Sequence, residues 1–437
     1  MISSFFWKKL LIRTGLYRFI PSMRRILSGS EPYLKFMSDR TIALPIEVLL
    51  DSALLPETHS PDTIDFARGA PRCELVLNLN HELNLNQTLN PWGHDELRQL
   101  IRQKMTAETN QDFANKSDIL VTHGASGAFA TVAETFINPG RRVVLLDPTS
   151  PIFPLILKHR RASIRWVNTT ISDGYVRFDI EDFAAAMRGA TMLVIANPNN
   201  PTGGQFAAED FEQISWWAKK YDVLIYIDQS FANYQDEMNR LSLAGFPSCY
   251  QRLLLAQSVS KSVGLASARV GWLMGARTLM NAWTLTANVH SPFMSPLSQQ
   301  IAVHALRHGD SAARLHSDEM AGRRRYIFEY LRSIGLAPLM PSCGFFMWIP
   351  VQSLNLSGRE FSLRLFRSKK LLLNPGDPFG PSGIGYVRLS YATDDGRLRE
   401  GLARLGEFMQ ELHQGKEPAQ PQQTWQAAAD ARLASPH

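Results

Sequence analysis

The feature that most constrains this chain is a set of short, unbroken apolar runs that alternate with stretches of helical pattern. Arg142–Asp147 (RVVLLD), Met192–Ala196 (MLVIA), Val223–Asp228 (VLIYID) and Leu253–Gln257 (LLLAQ) carry their apolar residues consecutively, not in alternation. Consecutive apolar residues over this length predict strands covered on both faces. Between the second and third, Glu209–Lys219 overlaps with Phe211–Tyr221 in an amphipathic helical pattern, with Trp216 and Trp217 available to the core. Strand, helix and strand in this order predict an α/β fold with a mainly parallel sheet, whose ligands gather where strands end and loops begin.

Size and composition agree with a large folded body. The 437 residues are 45% hydrophobic and 20% charged, which suits one large or two modest domains and excludes a disordered or collagen-like chain. Cys73, Cys249 and Cys343 lie far apart, with no CxxC and no Cys/His metal spacing, so a reducing compartment is expected and no metal. No uncharged apolar run reaches the roughly 18 to 20 residues of a membrane-spanning helix.

The net charge of +6 has a local origin. Lys8, Lys9, Arg13, Arg18, Arg24 and Arg25 stand in residues 1–28 without a single acid, and the rest of the chain balances at 40 against 40. The basic isoelectric point therefore gives no reason to expect a nucleic-acid surface on the body. Residues 1–40 form a basic amphipathic extension, and three readings stay open for it. It is a helix packed on the body or on another subunit, a segment of residues 1–28 lying on an anionic membrane surface, or an organelle-import peptide. Cytoplasmic location is the base expectation, with the last two readings as its alternatives. Residues 414–437 are polar and rich in Pro, Gln and Ala, which predicts a mobile tail.

Four segments carry the candidate chemistry. Thr122–Ala128 (THGASGA) follows a strand-like ILVT and opens a helix, so Gly124, Ala125 and Ser126 offer a close backbone approach, free N–H groups and a hydroxyl to a phosphate. Asn197–Gly204 (NPNNPTGG) follows MLVIA and could be a simple tight loop, yet an amide fixed beside proline can orient a ring oxygen. Asp228 ends VLIYID, either to cap a helix or to face a cationic ring nitrogen. Lys261, in Ser258–Leu265 (SVSKSVGL), follows an apolar strand among small residues, where desolvation lowers an amine toward nucleophilic use. Arg269 is placed eight residues on to return to a phosphate.

In order and spacing, NPNNPTG, the strand-terminal Asp228 and SVSKSVGLASARVGW resemble the fold-type I, class I/II pyridoxal-phosphate aminotransferases. The resemblance runs from about Ile64 to Glu411. It takes in Gly93–Arg98 (GHDELR), Cys343–Trp348 (CGFFMW), Asn374-Pro375-Gly376 before Phe379, and Tyr386–Ser390 (YVRLS). It implies that Lys261 holds pyridoxal 5'-phosphate as a Schiff base and later moves the substrate's α-proton. Asp228 then pairs with the pyridinium nitrogen, and Asn200 donates to the ring's O3′ oxygen. Gly124, Ala125, Ser126, Ser258, Ser260 and Arg269 are the implied phosphate ligands. Arg388 clamps the substrate α-carboxylate, with Gly69 beside the substrate.

The resemblance also implies a homodimer acting on an amino acid and a 2-oxo acid. The large cofactor-binding domain is expected over residues 85–298, and a smaller α/β domain over 41–84 and 299–413. Three positions depart from the pattern. Phe231 stands where the family has a tyrosine bonding O3′, Ser150 where an aromatic covers the ring, and Thr88 where many members have a tyrosine from the second subunit. Tyr234 and Phe153 are candidate replacements. The departures leave a lyase, decarboxylase or cyclase on the same scaffold as the alternative to transamination, and a non-catalytic scaffold as the contrasting class.

Overall fold

The computed structural model describes residues 11, 14, 38–42, 44, 60–69, 71, 90–109, 118–235 and 250–415. Apart from Leu11 and Thr14, residues 1–28 lie outside these residues, as do Thr88 and the tail beyond Gly415, so the readings made for them do too.

In chain order the strands are β1 (Ile64–Asp65), β2 (Asp118–Thr122), β3 (Arg142–Asp147), β4 (Ser163–Ser172), β5 (Tyr175–Phe178), β6 (Met192–Ala196) and β7 (Leu224–Asp228). They continue as β8 (Leu253–Ser258), β9 (Gly271–Gly275), β10 (Phe346–Pro350), β11 (Leu371–Leu372), β12 (Asn374–Pro375) and β13 (Tyr386–Ser390). Eight of them form one sheet in the order β2-β9-β8-β7-β6-β3-β4-β5. Neighbours from β8 through β4 run parallel, β9 is antiparallel to both of its neighbours, and β5 folds back along β4. Every residue of β6 is buried, as is all of β8, which is the burial that consecutive apolar residues require.

The helix between β6 and β7 spans Ala208–Tyr221 and buries Phe211, Ile214, Ser215 and Ala218, one face at helical spacing. Trp216 falls on the other side and is 54% exposed, which corrects the expectation that it enters the core. Its ring lies instead against Lys220, with the ammonium 4.5 Å from the centroid. Trp217 is partly buried and packs at the core's edge.

A second apolar core joins Ile64 and Phe66 to residues between Met320 and Met409, around the three-stranded sheet β10-β13-β12. Phe231 and Tyr234, from the loop after β7, pack into this second core. The two layers are tied together at the end of β3. Asp147 accepts from the backbone N–H of Ser382 at 2.9 Å and from its hydroxyl at 2.8 Å, and Thr149 N–H donates to the Phe379 carbonyl at 2.8 Å. Gly380 is obligatory there, because a Cβ would stand 2.1 Å from Asp147 Oδ1. Among the described residues no helix is long and apolar enough to cross a membrane.

Candidate active site

Three adjacent parallel strands deliver the central residues to one edge of the large sheet. In register, Ala196 at the end of β6 faces Asp228 at the end of β7, and Asp228 faces Ala256 in β8. The chain leaving β6 is the Asn197–Gly204 turn, and the chain leaving β8 enters the four-residue helix Val259–Ser262 that carries Lys261. Asp228, Asn200 and Lys261 thus occupy the loop end of the sheet.

The asparagine-rich turn divides its labour. Asn197 Oδ1 accepts from the Phe206 N–H at 3.1 Å, and Asn199 takes the Thr202 hydroxyl at 2.8 Å while donating to the Pro148 carbonyl at 3.1 Å. These two build the loop. Asn200 instead accepts from Arg388 Nη1 at 2.8 Å. A guanidinium only donates, so this contact fixes the amide with its oxygen on Arg388 and leaves its NH2 to donate elsewhere.

Lys261 donates through Nζ to the carbonyl of Gly69, and its own carbonyl accepts from the Tyr234 hydroxyl at 3.0 Å. Burial, with Arg388 and Arg269 adding to it and Asp228 opposing, pushes the amine down to about 8. Burial raises the Asp228 carboxyl, against the Ser230 N–H, which donates to Oδ1 at 2.8 Å, and against Lys261.

Arg388 sits in the middle of β13, opposite Trp348 of β10 and Asn374 of β12, and is only 5% exposed. Its guanidinium lies between the rings of Phe346 and Phe379, with centroids at 4.3 Å and 5.0 Å. Nη2 donates to the Ala67 carbonyl at 2.7 Å, and Nε has no partner. Burial lowers it to about 9, so it stays charged at neutral pH. No carboxylate pairs with it among the described residues. Asp65 opposes this burial only through its charge, without an ion pair to Arg388, and a buried cation so weakly answered is costly, which fits a place that receives an anion.

The candidate phosphate ligands lie beside this group. Gly124 opens the 13-residue helix Gly124–Phe136 with φ +71°, and the Arg269 guanidinium rests so close that a Cβ on Gly124 would stand 2.7 Å from Nη2. Arg269 leans on the carbonyls of Ala266 at 3.0 Å and His123 at 3.5 Å. Gly271, which opens β9, is equally constrained, since its Cβ would stand 2.9 Å from Ala125 N. Ser258 and Ser260 are buried next to Lys261, and Ser126 is exposed on the first helical turn. A helix N-terminus, a guanidinium and nearby hydroxyls form a donor set that fits a phosphate ester, and the glycine leaves room for it.

Phe153 and Tyr234, the two candidate aromatic replacements, both make contacts within the protein. Phe153 is buried in the large core against Phe129 and Tyr226, at 4.9 Å and 6.1 Å between centroids. Tyr234 is buried among Phe231, Phe345 and His316, and its hydroxyl donates to the Lys261 carbonyl. Sequence reasoning also missed the Ala67 carbonyl and the paired rings around Arg388. A backbone carbonyl has no sequence signature, although both phenylalanines stood in motifs already noted.

Comparison with known proteins agrees with this geometry. The family described as aminotransferase class I and II matches residues 61–405. The protein named probable N-acetyl-LL-diaminopimelate aminotransferase of Bacillus subtilis (strain 168) is 28% identical over 320 residues, covering 72% of this chain and 80% of the relative. The aspartate aminotransferase of Pyrococcus abyssi is 24% identical over 324 residues, covering 73% of this chain and 83% of that one. In fold, the solved structure of an aminotransferase from Staphylococcus aureus superposes with a TM-score of 0.75 at 22% identity, over 86% of this chain and 99% of its own. With Lys261, Asp228 and Asn200 at adjoining strand ends and Arg388 facing them, the chain belongs to the class I and II aminotransferases.

Proposed function

We propose that this chain carries out its pyridoxal-phosphate-dependent amino transfer with Lys261 as cofactor-holding amine and base, Asp228 as partner of the ring nitrogen and Arg388 as the substrate clamp. The observation that carries this reading is the buried guanidinium of Arg388, bonded to Asn200 and Ala67 and in no ion pair among the described residues, with its charge felt by a desolvated Lys261.

Pyridoxal phosphate, when bound, supplies a conjugated cationic ring that withdraws the electron pair left at the substrate's α-carbon. The chain's own residues do the rest. Gly124, Ala125, Ser126, Ser258, Ser260 and Arg269 hold the phosphate by charge and N–H donors. Asp228 keeps a proton on the ring nitrogen, because a carboxylate beside a cation favours the protonated ring. Asn200 presents its NH2 to the ring oxygen while its carbonyl oxygen steadies Arg388. Arg388 binds the α-carboxylate of an amino acid or a 2-oxo acid, with Gly69 leaving space beside it. A Cβ at Gly69 would press on Phe346 at 3.2 Å. Lys261, part neutral near its value of about 8, takes the α-proton.

A cofactor-binding unit and a smaller unit are supported by the separate cluster that joins Ile64 and Phe66 to residues between Met320 and Met409; the large-sheet core also takes in Ala302, Val303, Ala305 and Ala313, which favours a boundary nearer residue 313 than 298. A homodimer is supported by Leu285 and Val289, 73% and 76% exposed one helical turn apart, with Phe293 and Leu297 beyond them. Next to this face, Ser291 bonds His123 at 2.7 Å, immediately before the phosphate-binding helix. A cytoplasmic setting is supported by the cysteine usage, with organelle import through the N-terminal extension as its alternative; peripheral membrane contact through residues 1–28 is tested by vesicle sedimentation of a chain lacking them.

The test of the central reading is the visible spectrum of the protein with added pyridoxal phosphate, followed by amino transfer to a 2-oxo acid. Wild type should show a lysine-dependent band and turnover. Lys261→Ala should lose the band and at least about a hundredfold of the rate. A Lys261→Ala protein that transaminates like wild type would refute the assignment.

A further inference from the structure

Lys261 lies in a helix of four residues, Val259–Ser262, too short to hold its own shape in water. A helix end leaves its last carbonyls without backbone donors. The N–H of Leu265, which would reach the Lys261 carbonyl if the helix continued, donates instead to the Val259 carbonyl at 3.2 Å. The Lys261 carbonyl receives the Tyr234 hydroxyl, at 3.0 Å. The lysine is thus held at both ends, by a phenol at its backbone and by the Gly69 carbonyl at its amine.

Tyr234 is itself well anchored. It closes the short turn Ala232–Tyr234 in the chain beyond Asp228 and is 5% exposed. Its ring meets Phe345 edge-on at 5.1 Å and His316 at 6.0 Å between centroids. Ser317, next to His316 on the helix Asp310–Ser333, donates to the Asn233 carbonyl at 3.0 Å. A brace therefore runs from the second core, through one turn, to the backbone of the lysine. Phe231, earlier in the same loop, has no hydroxyl with which to do this.

We propose that Tyr234 is a positioning residue for proton transfer, holding the Lys261 backbone so that the amine meets the substrate's α-carbon. The inference rests on Lys261 being the base and adds what aims it. A lysine stem carries rotamer freedom of its own, so on an unbraced short helix the amine would wander further. A misplacement of about 1 Å can cost about a hundredfold in rate. The phenol acts on the lysine's backbone and not on the Arg388 clamp, so proton removal should suffer while substrate binding does not.

The test uses the holoenzymes of wild type, Tyr234→Phe, Ser317→Ala and Tyr391→Phe. The proteinogenic amino acids are screened on wild type, and the best is mixed with each protein without a 2-oxo acid. Decay of the cofactor's visible band then gives a limiting rate and a half-saturating concentration. Tyr234→Phe should lower the limiting rate by about tenfold to a hundredfold, with the half-saturating concentration unchanged. Deuterium at the α-carbon should slow the decay in Tyr234→Phe at least as much as in wild type, as required when proton removal limits it. Tyr391→Phe is the control. It deletes a hydroxyl that donates to the Gly344 carbonyl at 3.0 Å in the same core, so its Tm should fall similarly and its limiting rate should not. Ser317→Ala should move the limiting rate in the same direction by less. It decides the matter if Tyr234→Phe does not fold, and an unchanged rate then overturns the proposal. A wild-type limiting rate in Tyr234→Phe, or an equal fall in Tyr391→Phe, overturns it while leaving Lys261 as the base. A wild type whose band decays with no amino acid overturns both.

Discussion

Replacing Gly124 by alanine separates two effects that the phosphate-binding turn combines. At φ +71° an added Cβ carries the left-handed backbone penalty of about 1–2 kcal/mol, which acts on folding and is present with or without cofactor. The same Cβ would stand 2.7 Å from Arg269 Nη2 and 3.3 Å from Cζ, inside ordinary contact distance, so the guanidinium must retreat. If one charge-assisted hydrogen bond to the phosphate is lost, about 1.5–3 kcal/mol of binding goes with it. Affinity for pyridoxal phosphate then falls about tenfold to a hundredfold, while affinity for pyridoxal, which lacks the phosphate, changes little. Gly140→Ala is the control. Its φ is +80° with nothing within 4 Å of the new Cβ, so it carries the backbone penalty alone. Equilibrium titration of the two apoproteins with both ligands, alongside thermal unfolding, decides the matter. Equal phosphate selectivity in Gly124→Ala, Gly140→Ala and wild type would show that Arg269 does not hold the phosphate from this position.

Two further outcomes follow from the site's electrostatics. The neutral amine is the form that captures an aldehyde, so the rate of cofactor capture by apoprotein should rise with pH through about 8 and then level off; a midpoint near the ordinary lysine value of 10.5 refutes the desolvated lysine. Over the same interval, between about 8 and 10.5, the unfolded chain holds the extra proton, so Lys261's contribution to apoprotein stability should increase with pH, measured by denaturant unfolding. Arg388→Lys should keep the cofactor band but lower kcat/KM for every amino acid by about tenfold to a hundredfold. One ammonium cannot span Asn200, Ala67 and a carboxylate as the fork does. An unchanged kcat/KM would remove Arg388 from substrate binding.

What was legible in the sequence was what depends on local pattern. RVVLLD and MLVIA coincide with β3 and β6 from end to end, and VLIYID loses only Val223, because a strand buried on both faces has little alternative reading. Lys261, Asp228 and Asn200 were legible because each adjoins such a strand, where α/β sheets place their ligands. Trp216 was misread because two adjacent tryptophans cannot both face inward on a helix whose buried stripe runs through Phe211, Ile214, Ser215 and Ala218. The Ala67 carbonyl, 321 residues from Arg388, has no side-chain signature at all. Tyr234 reads as a substitute phenol for the ring oxygen, yet its loop turns it into the second core, where its hydroxyl fastens the backbone of Lys261.

The knot between Asp147 and Ser382 has a mechanical side. Phe379, whose carbonyl is held by Thr149, is also one of the two rings that grip the Arg388 guanidinium. The end of one strand of the large sheet therefore sets the jaw that steadies the carboxylate fork in the small one. Tilting the two sheets against each other cannot leave that fork untouched: it either breaks the knot or drags the ring along. Grip on the substrate and the angle between the layers are geared together, like a vice whose screw is the hinge.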